Sequence, residues 1–496
     1  MLFHTWVFFV FFAIVYPVYL VTRKNNLVMN LWLMLASYTF YAWWNPSYIL
    51  LLFGTSAIDY VMVLFMDRSQ KWKKFWLIIS LVSNFGFLGY FKYSAFITTN
   101  LNLLFAQLHF PFALPDPASY ANVFIPMINE VRSLVGQPPR GFFTEVILPI
   151  GISFHTFQSM SYTIDAYRGK IKTEYNFIRF LTFVSFFPQL VAGPIERASN
   201  LLPQLQSAPR ISRQDLSDGL SLFLVGFFKK VALADYLAKY VDQVYEAPGQ
   251  FQAPALVLAT VAFAWQIYFD FSGYTDMARG IARVMGFRMM LNFNNPYVAT
   301  GLGDFWSRWH ISLSTWFKDY LYFPLGGNRG GTLFTYRNMF ITMVISGIWH
   351  GAEWRFVIWG VLHAIGRVLT RELERSQFYR QQVPTFVKQF LVFAFVCFTW
   401  IFFRAKGRDD DWLGLDNAWL VISRIFSTGW ADPRFPLLMA ILVLAVCAYQ
   451  YLFTQSSLTR KILEAAPVRL GLVVAMIIYL LIVAQPSTEA FIYFQF

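Results

Sequence analysis

The sequence predicts an all-α, polytopic membrane bundle, and three observations carry that prediction. Of 496 residues, 57% are apolar, 20% aromatic and only 14% charged, where a soluble domain carries about 25% charged residues. Long windows contain no Asp, Glu, Lys or Arg: Asn25 to Ile58 (34 residues), Ala247 to Phe269 (23), Phe435 to Thr459 (25) and Leu470 to Thr488 (19). A helix crosses a bilayer with about 20 apolar residues, so these windows are membrane spans or pairs of them. The net charge of +13 is held in short clusters between apolar stretches, at Arg23-Lys24, Lys71 with Lys73-Lys74, Arg168 to Lys172 and Lys229-Lys230. That is the pattern of cytoplasmic loops under the positive-inside rule, and it argues against nucleic acid as the partner of a basic chain.

The first 22 residues carry no charge. They lack the basic start and small-residue cleavage site of a signal peptide, so this segment reads as an uncleaved span with its N-terminus outside. Further spans are expected near residues 27–44, 47–66, 75–97, 146–164, 178–195, 216–233, 252–270, 338–352, 355–370, 387–403, 436–454 and 468–485. Several are short, which implies about 11 true crossings plus re-entrant pieces. Residues 1–496 read as one membrane domain in lipid. Two stretches break the rhythm. Residues 100–142 hold six prolines and scattered charge and read as an extracytoplasmic loop with a surface helix around 120–135. Residues 270–335 are rich in Gly, Trp, Asn and charge between two spans. Irregular polar backbone survives at membrane depth only when buried in protein or lining a cavity, which makes this a re-entrant, active-site segment.

Of six histidines, His310, His350 and His363 fall close together in sequence, and histidine within a span is a functional candidate by default. For His363 and His155 the plainer reading is a neutral imidazole hydrogen-bonded between helices. His350 differs, because no charged residue occurs from Asn338 to Ala352 and Gly351 leaves room beside it. Burial among aromatics disfavours imidazolium, the setting for a neutral general base. No HExxH occurs and no third ligand accompanies His310 and His350, so no metal is expected. No G-x-S-x-G elbow is present. Cys397 and Cys447 lie in apolar runs and read as packing residues. Asp276 and Arg279 are three apart and face one another on a helix, either as a structural ion pair or as support that holds the site's shape. Gly326-Gly327-Asn328-Arg329-Gly330-Gly331 lacks the Gly-Lys-Ser/Thr of a P-loop and reads as a loop.

Longer strings carry a resemblance. They are Leu148-Pro149-Ile150-Gly151-Ile152-Ser153-Phe154-His155, Phe187-Pro188-Gln189-Leu190-Val191-Ala192-Gly193-Pro194, Asp270-Phe271-Ser272-Gly273-Tyr274-Thr275-Asp276, Phe305-Trp306-Ser307-Arg308-Trp309-His310, Pro324-Leu325-Gly326-Gly327-Asn328-Arg329, Trp349-His350-Gly351, and the ending Phe491-Ile492-Tyr493-Phe494-Gln495-Phe496. In this order the chain resembles the membrane-bound O-acyltransferase family, most of all its bacterial alginate O-acetyltransferase branch. The resemblance implies a central funnel or tunnel with two histidines at its bottom, His350 matching the catalytic one and His310 the second. Trp309, Trp349, Asp276 and Arg279 would support them. It implies a cytoplasmic thioester donor, acetyl-CoA or an acyl carrier protein, taken up as substrate with no tightly bound cofactor. The acceptor it implies is a hydroxyl reached from outside, on an extracytoplasmic polysaccharide or on a periplasmic partner of the SGNH acyltransferase type, at a bacterial inner membrane. D-alanyl transfer to teichoic acid would use the same histidines. A transporter would predict inverted repeats and broken helices, and no repeat is evident.

Overall fold

The computed structural model describes residues 1–496 apart from 47, 123–124, 135–137, 140, 142–145, 147, 408–412, 433–434, 483–490 and 493–496. The last four belong to the terminal string quoted above, which therefore lies partly outside the described residues. Among those described there are helices, short 3-10 and π turns, and no strand. The chain divides into two compact units, residues 50–175 and residues 1–49 with 176–496.

Helices α1 (Trp6–Thr22) and α2 (Asn26–Ala42) open the chain, joined by a tight turn where Asn25 caps α2 through its side chain. The unit of residues 50–175 contains most of α3 (Tyr48–Arg68), then α4 (Lys73–Leu88), α5 (Ser94–Gln107), α6 (Pro117–Asn122), α7 (Ile125–Leu134) and α8 (Ile152–Tyr167). Its interior is tied by polar groups. Asp59 of α3 is fully buried and accepts from Asn84 Nδ2 at 2.8 and 2.9 Å, from Ser80 Oγ at 2.5 Å and from Ser159 Oγ, which joins α3, α4 and α8. One turn away, His155 Nε2 bonds Thr55 Oγ1 at 2.9 Å, the interhelical role expected of that histidine. The surface helix expected near 120–135 is present as α6 and α7, while residues 100–107, assigned to the loop, still belong to α5.

The larger unit continues with α9 (Phe177–Ser185), α10 (Ala198–Ser207), α11 (Arg213–Phe228), α12 (Asp235–Glu246) and α13 (Ala253–Val284). It then holds α14 (Leu302–Arg308), α15 (Ile311–Phe317), α16 (Thr332–His350), α17 (Trp354–Leu373), α18 (Gln377–Gln381), α19 (Thr385–Arg404), α20 (Asp416–Ser427), α21 (Leu437–Gln455), α22 (Ser457–Glu464) and α23 (Ala466–Ile482). The span expected at 178–195 is instead a nine-residue helix that ends before Pro188 and gives way to buried turns, since the residue before a proline is pushed out of the helical region.

Helix α13 is the central post, buried along almost its whole length. Lipid offers little hydrophobic drive between helices, so close approach rests on small residues. Here two glycine pairs do this. A Cβ at Gly226 would stand 2.5 Å from the Gly273 carbonyl oxygen, and one at Gly219 would stand 2.8 Å from that of Gly280. Backbone therefore meets backbone where α11 crosses α13. Gly226→Leu should drive the helices apart at a cost of about 1–3 kcal/mol or more, read as a lower Tm and aggregation of the detergent-extracted protein. Gly54→Leu, at a glycine with nothing within 4 Å, should leave both unchanged.

Among the described residues, five helical stretches are long and apolar enough to cross a membrane: Tyr48–Arg68, Gln70–Gln107, Ala253–Val284, Thr385–Arg404 and Leu437–Thr454; the bent pair Ser457–Leu463 and Ala466–Ile482 would make a sixth. The expected count of about 11 is not reached by length and composition. Of the other expected spans, α1 and α2 have 17 residues and α8 and α11 have 16.

Candidate active site

The segment expected to be irregular over 270–335 begins as helix. Asp270 to Val284 complete α13, because the charges that interrupt its hydropathy are neutralised by neighbours. A π turn at Lys229–Ala234, between α11 and α12, aims two lysines at α13. Lys230 Nζ lies 2.6 Å from Asp270 and 2.8 Å from Asp235, its side chain only 3% exposed. Asp270 also accepts the Ile492 backbone N–H at 2.7 Å, which ties residue 492 to α13. Phe491 packs there on Phe271 and Tyr274. Lys229 Nζ lies 2.7 Å from Asp276, nearer than Arg279 at 3.4 Å. The pair expected between Asp276 and Arg279 thus exists as the weaker half of a three-residue cluster.

Beyond α13 the chain runs without regular secondary structure from 287 to 293, then folds back through α14 and α15. The return is fixed by backbone bonds from Asn294 N–H to the Arg308 carbonyl and from Ile311 N–H to the Asn292 carbonyl, both 2.9 Å. His310 sits between the two short helices with φ 43° and ψ 56°, left-handed geometry that is rare outside glycine. Such a residue is strained by about 1–3 kcal/mol and persists only where its surroundings over-determine it. Here they do. The side chain is fully buried, edge-on to Phe271 with ring centroids 4.7 Å apart, and Nδ1 lies 3.1 Å from Asn292 Oδ1.

His350 is the last residue of α16, where the chain turns at Gly351 and re-enters as α17. The hairpin is closed by Gly347 and Gly360, at which a Cβ would meet the facing helix's backbone. A Cβ at Gly351 would lie 2.1 Å from the Phe356 ring, so the turn beside His350 is filled by that phenyl. Arg355, 2% exposed, grips Glu353 with Nε and Nη2 (2.7 and 3.0 Å) and donates from Nη1 to the Phe403 carbonyl at 2.6 Å. It ties the start of α17 to the end of α19, and Phe403 in turn packs edge-on to His350 at 5.3 Å.

The two histidines flank one indole. Trp349 stands 6.2 Å from His310 and 5.0 Å from His350 between ring centroids. Trp359 packs on His350 at 5.1 Å, and Trp400 bridges Trp359 and Trp309. His310, His350, Trp309 and Trp349 therefore share one aromatic shell. Asp276 and Arg279 join it indirectly: Lys229, which holds Asp276, lies over Tyr268, and that ring packs on Trp309 at 6.3 Å. His363 belongs to the packing around the shell, with Nε2 3.0 Å from Thr399 Oγ1 across α17 and α19. The glycine-rich turn at 326–331 is held by Asn338, whose Nδ2 donates to the Gly327 and Leu325 carbonyls.

Sequence reasoning missed Asn292, Ser312, Arg355 and Lys230. In the sequence Lys230 reads as part of a basic cluster at the end of the span expected at 216–233, whereas it falls in the π turn between α11 and α12.

A match to the family model described as MBOAT, membrane-bound O-acyltransferase family, covers residues 79–407. The chain is 39% identical over 403 residues to the "Probable alginate O-acetylase AlgI" of Pseudomonas aeruginosa, covering 81% of this chain and 70% of that one. To the peptidoglycan O-acetyltransferase of Helicobacter pylori it is 35% identical, with 78% and 73% covered. To the teichoic acid D-alanyltransferase of Streptococcus thermophilus it is 30% identical over 49% of this chain and 59% of that one. Buried paired imidazoles, apolar spanning helices and a match over most of the sequence lead to one conclusion: this multi-pass membrane protein belongs to the membrane-bound O-acyltransferase family and is an O-acyltransferase.

Proposed function

We propose that the protein moves an acetyl group from a cytoplasmic thioester, acetyl-CoA or an acylated carrier protein, to a hydroxyl on the other side of a bacterial inner membrane. The end acceptor is an extracytoplasmic polysaccharide such as alginate, reached directly or through a periplasmic partner of the SGNH acyltransferase type. Lipid surrounds a bundle of about 11 crossings, several of them made by short or re-entrant helices. Similarity to a probable alginate O-acetylase and to a peptidoglycan O-acetyltransferase supports the acceptor class. The observation that carries the chemistry is the pair His310 and His350 about Trp349, each held by a separate chain reversal.

In this reading neutral His350 takes the hydroxyl proton as the oxygen attacks the thioester carbonyl. The C–O bond forms, the C–S bond breaks, and His350 passes the proton to the departing thiolate. General-base help is worth about 10²–10⁴ in rate, and a donor to the oxyanion about 10²–10³. Two kinds of donor line the shell, the imidazole of His310 and the indole N–H groups. Alignment of both substrates away from bulk water supplies much of the rest.

The test is transfer of labelled acetyl by purified protein in vesicles, with acetyl-CoA and an acetylated carrier offered separately. Transfer to a polysaccharide or partner hydroxyl from one of these donors is expected. A D-alanylated carrier that reacts while both acetyl donors fail would replace the reading by D-alanyl transfer. His310→Ala should lower kcat by about 10²-fold or more with the protein still extracted as a monodisperse species, and unchanged kcat would remove His310 from the chemistry.

A further inference from the structure

The hydrogen bonds around His310 decide which of its two ring nitrogens carries the proton. Asn292 Oδ1 accepts from the Ser312 backbone N–H at 3.2 Å and from Ser312 Oγ at 2.9 Å, and faces His310 Nδ1 at 3.1 Å. An amide oxygen and nitrogen can be exchanged on paper, but a backbone N–H can only donate. Turning the Asn292 amide round would set its NH2 against the Ser312 N–H, donor against donor. The oxygen therefore faces this cluster, and an oxygen can only accept. Ser312 Oγ also lies 3.4 Å from Nδ1, but Asn292 Oδ1 is nearer at 3.1 Å and offers only lone pairs; this contact favours the proton on Nδ1 and, in the neutral ring, the lone pair on Nε2.

We infer that Asn292 is a positioning residue that holds His310 in its Nδ1–H tautomer, so that Nε2 of His310 presents a hydrogen-bond acceptor to the substrates, His350 alone takes and returns the proton, and the oxyanion is met by other donors. The inference rests on the proposed O-acyl transfer at the histidine pair and deepens it, since it separates the two kinds of oxyanion donor named above. The geometry around the pair is built for such a lock. Asn292 is 1% exposed on the irregular segment after α13, and its own carbonyl accepts the Ile311 N–H at 2.9 Å, so both ends of the residue grip the strained turn that presents His310. Ser312 lies on the first turn of α15, and its N–H is one of the donors that a helix start leaves without an intrahelical partner. The same oxygen therefore satisfies the helix start and selects the imidazole tautomer. A side chain that fixes a tautomer in this way acts on kcat without touching substrate, as the buried carboxylate does in serine-protease triads.

Two substitutions separate the possibilities. Asn292→Asp keeps an acceptor facing Nδ1 and the Ser312 N–H, whereas Asn292→Leu keeps the size and removes the acceptor. Both are assayed in the full chain in vesicles with labelled acetyl-CoA, or with the acetylated carrier if that is the donor used. Asn292→Leu should lose about 10²-fold in kcat with KM for the donor within about twofold, and Asn292→Asp should keep at least about a third of the wild-type kcat. A merely structural role would change the yield of folded protein and leave the kcat of the folded fraction alone. Normal kcat in Asn292→Leu, or an Asn292→Asp enzyme as slow as Asn292→Leu, overturns the inference; the latter result would mean that an amide N–H at 292 is needed. Should Asn292→Leu not fold, Asn292→Asp alone decides, since retained kcat supports the acceptor and lost kcat contradicts it. Failure of the underlying acyl-transfer reading looks different, because wild type itself would then transfer no acyl group from any thioester.

Discussion

His350→Ala is expected to reduce acyl transfer by about 10²–10⁴-fold, the range for loss of a general base, while leaving the protein membrane-inserted and extractable. The ring lies at a helix end and touches Trp349, Trp359 and Phe403, so its removal also leaves a small gap among aromatics. For that reason His350→Gln is the companion variant. It refills most of the space with a side chain that cannot take a proton at neutral pH. If the imidazole is a base, both variants lose kcat alike. If it only packs, His350→Gln should regain most of the activity that His350→Ala loses. The comparison uses kcat under saturating donor, because loss of an interaction made only in the transition state lowers kcat and leaves KM in place.

The second large effect is expected at Lys230. Its ammonium stands between Asp270 and Asp235, and all three side chains are buried. Removing one partner of a buried charge cluster leaves the others uncompensated, at about 3–5 kcal/mol. Lys230→Met should therefore lower the Tm of the purified protein substantially and reduce its yield. Activity should fall with it, since Phe271, adjacent to Asp270, is the ring against His310. Adding Asp270→Asn and Asp235→Asn to Lys230→Met removes the stranded charges and should recover part of the Tm, because an apolar or neutral replacement of a buried ion cluster is often tolerated. A triple variant no more stable than Lys230→Met would mean that the lysine acts through packing and not through its charge.

The spanning helices were legible where apolar runs were unbroken, as in α19 and α21. They were less legible where charge entered a buried helix. Helix α13 reads as ending near 270 because Asp270, Asp276 and Arg279 interrupt its hydropathy, and their lysine partners sit some forty residues earlier in the chain. Hydropathy has no access to that pairing. The same limit explains Asn292, a residue in an asparagine-rich stretch that looks like a turn. Its value comes from the chain folding back 18 residues later to set His310 against it. His310 and His350 could be named from their tryptophan-rich strings, and His155 and His363 could be read as interhelical links, because those assignments rest on local residue type. The left-handed backbone of His310 had no such signal.

In the proposed function a thioester from the cytoplasmic face and a hydroxyl from the opposite face react at one buried imidazole. Vesicles of uniform orientation, with labelled acetyl donor supplied only at the cytoplasmic face and an acceptor hydroxyl enclosed only at the other, measure it directly. Labelled ester on the enclosed acceptor is expected with wild-type protein, and background label with His350→Ala. Equal labelling by both proteins, or ester formed only when donor and acceptor share one face, would contradict it.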